Sequence, residues 1–504
     1  MPTTQTAASE LDGNRLFVMC SVLIVIIAGI LRFHDLAERS MWYDEAVAAN
    51  NSRGTLSETI ANTRARNSSP IVYPLVLHAA QEITQSAFVV RLPAAIAGTL
   101  AVLVLLALSR VGVDKGVAVI AGSILAVSTT QIRYSQETRE YALAVFLAAL
   151  MLYGLLSNLQ SSDTKRRVLY ISTFIAPLVQ YGLVLFGAAV LTALTLATVR
   201  QHSLRVAVRR AAWPAILLAV GSVLSYVLTL KYQSRGRSDW WYLKPYLYEG
   251  SLYDAPKVLA FVAVNTFGLL KFLTAGQMLI GLAIPAFGFL AYRSVHAPKH
   301  RYSVPWTVLA LTLVSVAILA GAAVLGFYPY GATRQCLYLA PILALAAAGG
   351  YQAVAAGMPA REGHLWFALV LSLVFIAGVQ NVRSESPYAE QEDIKRAMFA
   401  LEHSVQDEDV VYVYPGAIPA VDFYRMGRDN FVYGTWNRED PDAYVREFDE
   451  LVGRKAGRVW MLFSHVVLGE EGYILQHLAT RWALEKTSDA TGAHVYVGVR
   501  RDTQ

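Results

Sequence analysis

Apolar residues along this chain arrive in long unbroken blocks. They do not alternate with polar residues at the period of a half-buried strand or a surface helix. Blocks of this kind cover 16–33, 89–110, 116–132, 139–159, 168–181, 183–200, 211–230, 275–292, 304–326, 334–356 and 364–380. At 1.5 Å rise per residue a helix needs ~17–25 residues to cross a bilayer, and most of these blocks have them. They predict a polytopic α-helical membrane protein with about 11 transmembrane helices, the pair at 168–200 dividing at Gly182. The connection 34–88 is long and opens on Arg, Asp and Glu. It then gives Ile71–Ile83, apolar but short, which predicts a helix lying in the headgroup region. The stretch 254–270 reads the same way, and 231–250 mixes cations with Trp and Tyr as an interfacial loop does.

From residue 383 the pattern changes. Charges become frequent and no apolar block reaches membrane length. Asp409–Tyr414, Arg458–Phe463 and His494–Val499 read as strands, and Gln391–Glu402 and Pro441–Arg454 as helices. The expected organisation is a transmembrane domain over 1–382, carrying the large loop 34–88, and a small soluble α/β domain over 383–504.

Composition sharpens this picture. Only 16% of the 504 residues are charged, against about 25% in a soluble domain. The net charge of +6 has no basic, aromatic-interleaved stripe on a soluble domain, so nucleic acid is not an expected partner. A membrane surface or an anionic lipid substrate accounts for the balance better. The two cysteines, Cys20 and Cys336, fall in or beside apolar blocks and imply no disulfide framework. The first block lacks a small-residue cleavage site after it and reads as a retained helix. Basic residues are nearly balanced between the two sets of loops, the densest cluster being 200–210. With the N-terminus inside, that cluster is cytoplasmic and the C-terminal domain extracytoplasmic.

Three polar clusters then fall on one membrane face. Trp42-Tyr43-Asp44-Glu45 follows the first span. Adjacent acids there suit either a general base or the first turn of a helix, where they meet the positive end of the dipole. Arg133–Tyr141, RYSQETREY, joins two spans and carries Tyr134, Gln136, Glu137, Arg139 and Tyr141. Its charges fit solvated helix ends as well as a site. Tyr328–Arg334, YPYGATR, places Tyr330 in a tight turn and a guanidinium at the start of a span, as an anion site or an interfacial anchor would. Lys231 and Lys244 stand in the aromatic loop as further candidate cations, and His78 reads as a packing residue. No HExxH, P-loop or CxxC pair is present.

The motifs that follow one another along the chain resemble those of the GT-C superfamily of membrane glycosyltransferases, in the branch of the protein O-mannosyltransferases and lipid A aminoarabinose transferases. The resemblance rests on SMWYDEA at 40–46, SPIVYPLVLH at 69–78, RLPA at 91–94, YSQETREYA at 134–142 and TRQCLYLAP at 333–341. The family's Pro-Pro stands here as Ser69-Pro70, and a His-Tyr pair as Gln180-Tyr181.

The resemblance implies a hexosyl- or pentosyltransferase of the plasma (inner) membrane. It would move sugar from a polyprenyl-phosphate carrier to a hydroxyl of a glycan, lipid or protein on the outer face, with inversion. Asp44 would be the catalytic acid of the first loop, with Glu45 beside it, and Glu137 the acid of the second. Arg139 and Arg334 would bind donor phosphate, with Lys231 and Lys244 in reserve. Trp42, Tyr43, Tyr134, Gln136, Tyr141 and Tyr330 would line the substrate. No cofactor is required on this reading, and a divalent metal is left open. The rivals are a lipid or glycan transporter or flippase, expected to carry ionisable residues at mid-span, and an inactive assembly subunit.

Overall fold

A backbone in hydrocarbon has no water to bond, so apolar blocks of this length fold as helices that satisfy their own amides. The computed structural model describes residues 4–66, 68–160, 163–233, 243–273, 304–355, 357–384, 386–424, 429–437, 440–452, 457–467 and 469–501. They fall into two compact units. The first comprises Met1–His34, Leu56–Ile83 and Arg91–Pro387, and the second Asp35–Thr55, Thr84–Val90 and Tyr388–Gln504.

Eight described helices are long and apolar enough to cross a membrane: Gly13–Phe33, Ala87–Val111, Tyr141–Leu159, Leu204–Gln233, Ala255–Leu273, Val304–Val324, Arg334–Ala355 and Arg361–Ser384. A ninth is broken, Lys115–Val127 continuing as Thr129–Ser135 after a bend of 62°. The block at 168–200 does divide at Gly182, into helices Asp163–Val179 and Leu183–Val199, each 17 residues long. The block at 275–292 lies outside the described residues.

One expectation changes. The stretch 254–270, read as interfacial, belongs to a 19-residue helix of spanning length, Ala255–Leu273. Its charged residues gather toward its ends, and the mid-helix Asn265 and Thr266 are satisfied by the carbonyls of Phe261 and Val262. Asp254 and Lys257 pair at 2.8 Å beside its start, and Lys271 stands in its last turn.

In the first unit, bulky side chains interlock around small ones. Gly154, on Tyr141–Leu159, lies so close to Leu169 of the next helix that a Cβ there would be 2.7 Å from its Cα. Before Ala87–Val111 come two short helices of this unit, Leu56–Arg66 and Val72–Gln81, the second within the predicted Ile71–Ile83.

The second unit contains a five-stranded sheet, β1 Val410–Val413, β2 Phe431–Tyr433, β3 Arg458–Ser464, β4 Trp482–Ala490 and β5 Ala493–Arg500. The spatial order is β2-β1-β3-β5-β4. The first three run parallel, and β5 is antiparallel to both β3 and β4. Side chains alternate across the sheet, so Tyr412, Met461 and Phe463 share a core with Tyr444 and Phe448 of helix Pro441–Val452 and Ile474 and Leu478 of helix Glu470–Leu478. The same unit holds helix Tyr43–Asn51, which packs beside helix Ile418–Tyr424.

Candidate active site

In the first unit the site is built on the broken span. A helix that stops at Val127 leaves carbonyls without intrahelical donors. Arg32, fully buried in the last turn of the first span, supplies them: Nη2 donates to Leu125 O at 2.9 Å and Nη1 to Ala126 O at 3.0 Å. Ser128 then starts the second half, its Oγ accepting from Gln131 N at 3.4 Å. The chain beyond Ser135 is tied down by Gln136, whose buried amide donates to His34 O at 2.7 Å and Arg32 O at 3.3 Å. Glu137 is fully buried, 3.6 Å from the Arg133 guanidinium.

Arg139 follows. Its Nε lies 3.3 Å from Glu140, and Nη2 lies 3.5 Å from both Ser68 Oγ and Tyr141 Oη. The Tyr134 ring meets Tyr141 edge-on at 5.6 Å.

The turn 325–333 brings the third cluster to the same place. Gly331 adopts φ +141°, which disfavours any residue with a Cβ. Tyr330 is fully buried, its hydroxyl 2.8 Å from Thr266 Oγ1. Burial pushes that phenol up to about 12, against the hydrogen bond with Thr266, so it stays a neutral hydrogen-bonding group. Tyr328 is also held above its ordinary value, by burial first and then by Cys336, and donates to Gln335 O at 2.9 Å. It comes this close only because residue 182 is glycine: a Cβ there would lie 2.6 Å from Tyr328 Cζ and 2.7 Å from Tyr338 Cε1.

Arg334, next in the chain, sets its guanidinium carbon 5.7 Å from the Tyr141 ring centroid. Arg139 holds its own at 5.5 Å. Two guanidinium groups therefore share one aromatic ring.

Beside them opens a cavity of about 210 Å³, lined by the polar residues Ser68, Arg139, Glu140, Tyr141, Gln180, Tyr181 and Gln335 and by apolar residues that include Leu230, Leu243, Phe327 and Pro329. Lys231 lies 4.8 Å over the Tyr232 ring. Lys244 is exposed and 4.0 Å from Glu249, and neither lines the cavity. Tyr134, Arg139, Tyr141 and Arg334 are thus drawn together, whereas Tyr330 is buried against Thr266 outside the cavity lining and Gln136 is engaged in holding the loop.

In the second unit, Trp42 precedes helix Tyr43–Asn51 in an extended conformation. Its carbonyl accepts from Ala46 N at 3.0 Å. Asp44 and Glu45 occupy the first turn, where the helix dipole favours negative charge. Asp44 is half-buried and Glu45 fully buried. Tyr43 stacks on His465 at 4.2 Å and meets Trp436 edge-on at 6.3 Å. Among the described residues no three His, Cys, Asp or Glu side chains gather as a metal site.

Known proteins place this architecture. No family model matches the chain, and no curated protein matches it in sequence. Solved structures do match in shape. ArnT from Cupriavidus metallidurans, bound to undecaprenyl phosphate, is 13% identical with a TM-score of 0.57, over 94% of this chain and 97% of that one. The oligosaccharyltransferase of Archaeoglobus fulgidus, in complex with Zn and sulfate, is 14% identical with a TM-score of 0.54, over 95% of this chain and 72% of that one. The chain shares the fold of these two solved structures. At such identity the likeness speaks for the fold and leaves the chemistry to the residues.

Those residues include several the sequence did not single out as a site. Ser68, Gln180, Tyr181 and Gln335 all line the cavity. Gln335 O accepts from Tyr328 and, at 3.3 Å, from Gln180 Nε2. Tyr181 donates to Thr229 and Gln233, in and just beyond a π-helical turn at Tyr226–Leu230, a feature frequent at functional sites. The departure at Gln180-Tyr181 and the place of Gln335 within TRQCLYLAP were the sequence signals for them.

Proposed function

We propose that the protein is a membrane glycosyltransferase that takes a sugar from a polyprenyl-phosphate carrier and passes it to a hydroxyl of a cell-envelope acceptor on the outer face. The observation that carries this reading is the pair Arg139 and Arg334 on one tyrosine ring beside a cavity lined by both polar and apolar residues. A lipid phosphate has that chemistry: an anion for the guanidinium groups and a hydrocarbon chain for the apolar residues. The fold shared with ArnT, seen with undecaprenyl phosphate, supports the same donor class.

The residues divide the reaction between them. Asp44 takes the proton of the acceptor hydroxyl. The oxygen attacks the anomeric carbon from the face opposite the phosphate, so a new C–O bond forms as the bond to phosphate oxygen breaks. The lipid phosphate departs with the electron pair and the sugar is inverted. A phosphate needs no acid to leave; its gathering charge needs fixed cations, which is the role of Arg139 and Arg334. Trp42, Tyr43, Tyr134 and Tyr141 supply aromatic surface and hydroxyls for the sugar, while Tyr330, buried against Thr266, braces the turn before Arg334.

Purified protein should be incubated with a panel of polyprenyl-phosphate-sugars, following thermal stabilisation and released polyprenyl phosphate. Stabilisation and turnover by one donor, both lost with Arg334→Ala, are the expected result. Stabilisation by lipid with no sugar released from any donor, whatever hydroxyl acceptor is added, would favour a transporter. Asp44→Asn removes the base and keeps the shape. It should abolish release while polyprenyl phosphate still binds. Reporters fused after Gln504 and near Arg205 should lie on the extracytoplasmic and cytoplasmic sides respectively, and a common side for both would overturn the orientation.

A further inference from the structure

The segment leading into Asp44 is gripped by side chains from the C-terminal part of its own unit. Three of its backbone N–H groups donate to side chains more than three hundred residues away. Ser40 N donates to both carboxylate oxygens of Glu390 at 3.1 Å. Met41 N donates to Tyr424 Oη at 2.9 Å, and Tyr43 N to Glu392 Oε2 at 2.8 Å. Ser40 Oγ adds a bond to Asp393 at 3.1 Å and accepts one from Lys395 N at 3.1 Å. The ammonium of Lys395 donates to the carbonyls of Ala37 and Glu38 at 2.8 Å.

Glu392 is the hinge of this arrangement, because its other oxygen is taken. Oε1 lies 2.7 Å from His465 Nδ1, and the same imidazole stacks on the Tyr43 ring with 9° between the planes. His465 thus holds the carboxylate on one side and covers the residue before Asp44 on the other. Its backbone is unusual: φ is +53°, the left-handed region, in a residue with a Cβ. Such conformations are strained and persist where the surroundings enforce them, often beside functional residues. Here the strain directs the imidazole at Glu392 and Tyr43.

We infer that Glu392 and His465 are positioning residues for Asp44, fixing the first turn of the helix that carries it. This rests on the reading of Asp44 as the base. A base must be held within a fraction of an ångström of its working place, and a misplacement of about 1 Å can cost ~10²-fold in rate. The N-terminal turn of a nine-residue helix whose flanking Trp42 makes no side-chain cap has little intrinsic stiffness. The C-terminal residues supply it.

The test uses the full-length protein and two readouts. The first is hydrogen exchange in a peptide covering residues 40–47, which needs no substrate. Glu392→Ala removes the acceptor and should speed exchange roughly tenfold or more, as should His465→Ala. His465→Asn keeps a donor for Glu392 and should remain slower. The second is turnover with the active donor of the panel, set beside binding of undecaprenyl phosphate. Glu392→Ala and His465→Ala should lower kcat roughly ten- to a hundredfold with the dissociation constant within about twofold, and His465→Asn should rescue in part. A general loss of folding would instead lower binding capacity and melting temperature in step. Unchanged exchange, or unchanged kcat in both alanine variants while Asp44→Asn is dead, overturns the positioning role. Normal turnover by Asp44→Asn while Glu392→Ala speeds exchange leaves the clamp standing and overturns Asp44 as the base.

Discussion

Arg334 sets its guanidinium 5.7 Å from the centre of the Tyr141 ring, and Arg139, on the same ring, is 5.5 Å away. Two guanidinium groups on one ring repel each other; Glu140, 3.3 Å from Arg139, offsets part of that, and a phosphate relieves it most when it carries its greatest charge. The departing polyprenyl phosphate is more highly charged than the donor, so the arginines should stabilise departure more than binding. Arg334→Ala and Arg139→Ala are expected to lower turnover about 10²–10³-fold and to weaken donor binding much less. Lysine at either position should restore only part of the rate, since a point charge lacks the planar fork. Full turnover by both alanine variants at saturating donor would make these arginines anchors and turn attention to Lys231 and Lys244.

Gly182 tests the placement of Tyr328, which lines the cavity. A methyl group there would overlap the Tyr328 and Tyr338 rings. Overpacking of this kind typically costs 1–3 kcal/mol. Gly182→Ala should lower the melting temperature and displace Tyr328, weakening protection by undecaprenyl phosphate. The Tyr328 hydroxyl is the atom nearest the added methyl, so Tyr328→Phe in the same chain should recover part of the stability. No recovery would mean that Tyr338 carries the clash.

The spans and their rough limits were readable because bilayer thickness imposes a length that a run of apolar residues reveals at once. Tyr134, Arg139, Tyr141 and Arg334 were legible for a related reason: polar residues at the end of a span are conspicuous against it. The sheet strands β1, β3 and β5 were readable from short β-branched and aromatic runs. Strand β4, WALEKTSDA, and helix Glu470–Leu478 were not, since the first is largely exposed with a polar face and the second is a mere nine residues. Glu392 and His465 were invisible for a deeper reason. Their meaning comes from contacts with Tyr43 across 349 and more positions of chain, and no local pattern encodes those. The bend at Ser128 was hidden similarly, because Arg32, which makes it tolerable, lies 93 residues before Leu125.

That arginine gives a further prediction. With its guanidinium gone, two carbonyls at a break inside the bundle lose their donors, and each such group costs about 1–3 kcal/mol. Arg32→Met keeps the apolar stem and removes the donors. It should destabilise the protein by roughly 2–4 kcal/mol, seen as a lower temperature of aggregation in detergent. Arg32→Lys should be milder, reaching one carbonyl. An unchanged transition in Arg32→Met would show that the break does not depend on this cap.

Asp409 supplies a pH-dependent test in the second unit. Burial opposes its ionisation, but the hydrogen bonds from Arg458, Gln406 N and Trp460 outweigh that and hold the carboxyl below its ordinary value of 3.8. The geometry is a fork, with Arg458 Nε 2.8 Å from one carboxylate oxygen and Nη2 2.7 Å from the other. A carboxyl whose folded value is depressed contributes stability that is fully present above its unfolded value and is lost as pH falls through the folded one. Asp409→Asn keeps the shape and removes the charge, so at pH 7 it should cost roughly 2–3 kcal/mol. Below pH 3.8 the unfolded carboxyl takes up its proton first, so the gap between wild type and variant should narrow from there and close only below the lower folded value. Urea melts followed by the fluorescence of the protein's tryptophans, at pH 7 and at steps down to about pH 3, measure this directly. A gap between wild type and variant that stays constant across that range would mean that the fork acts through shape alone, and that the charge on Asp409 contributes nothing to the fold.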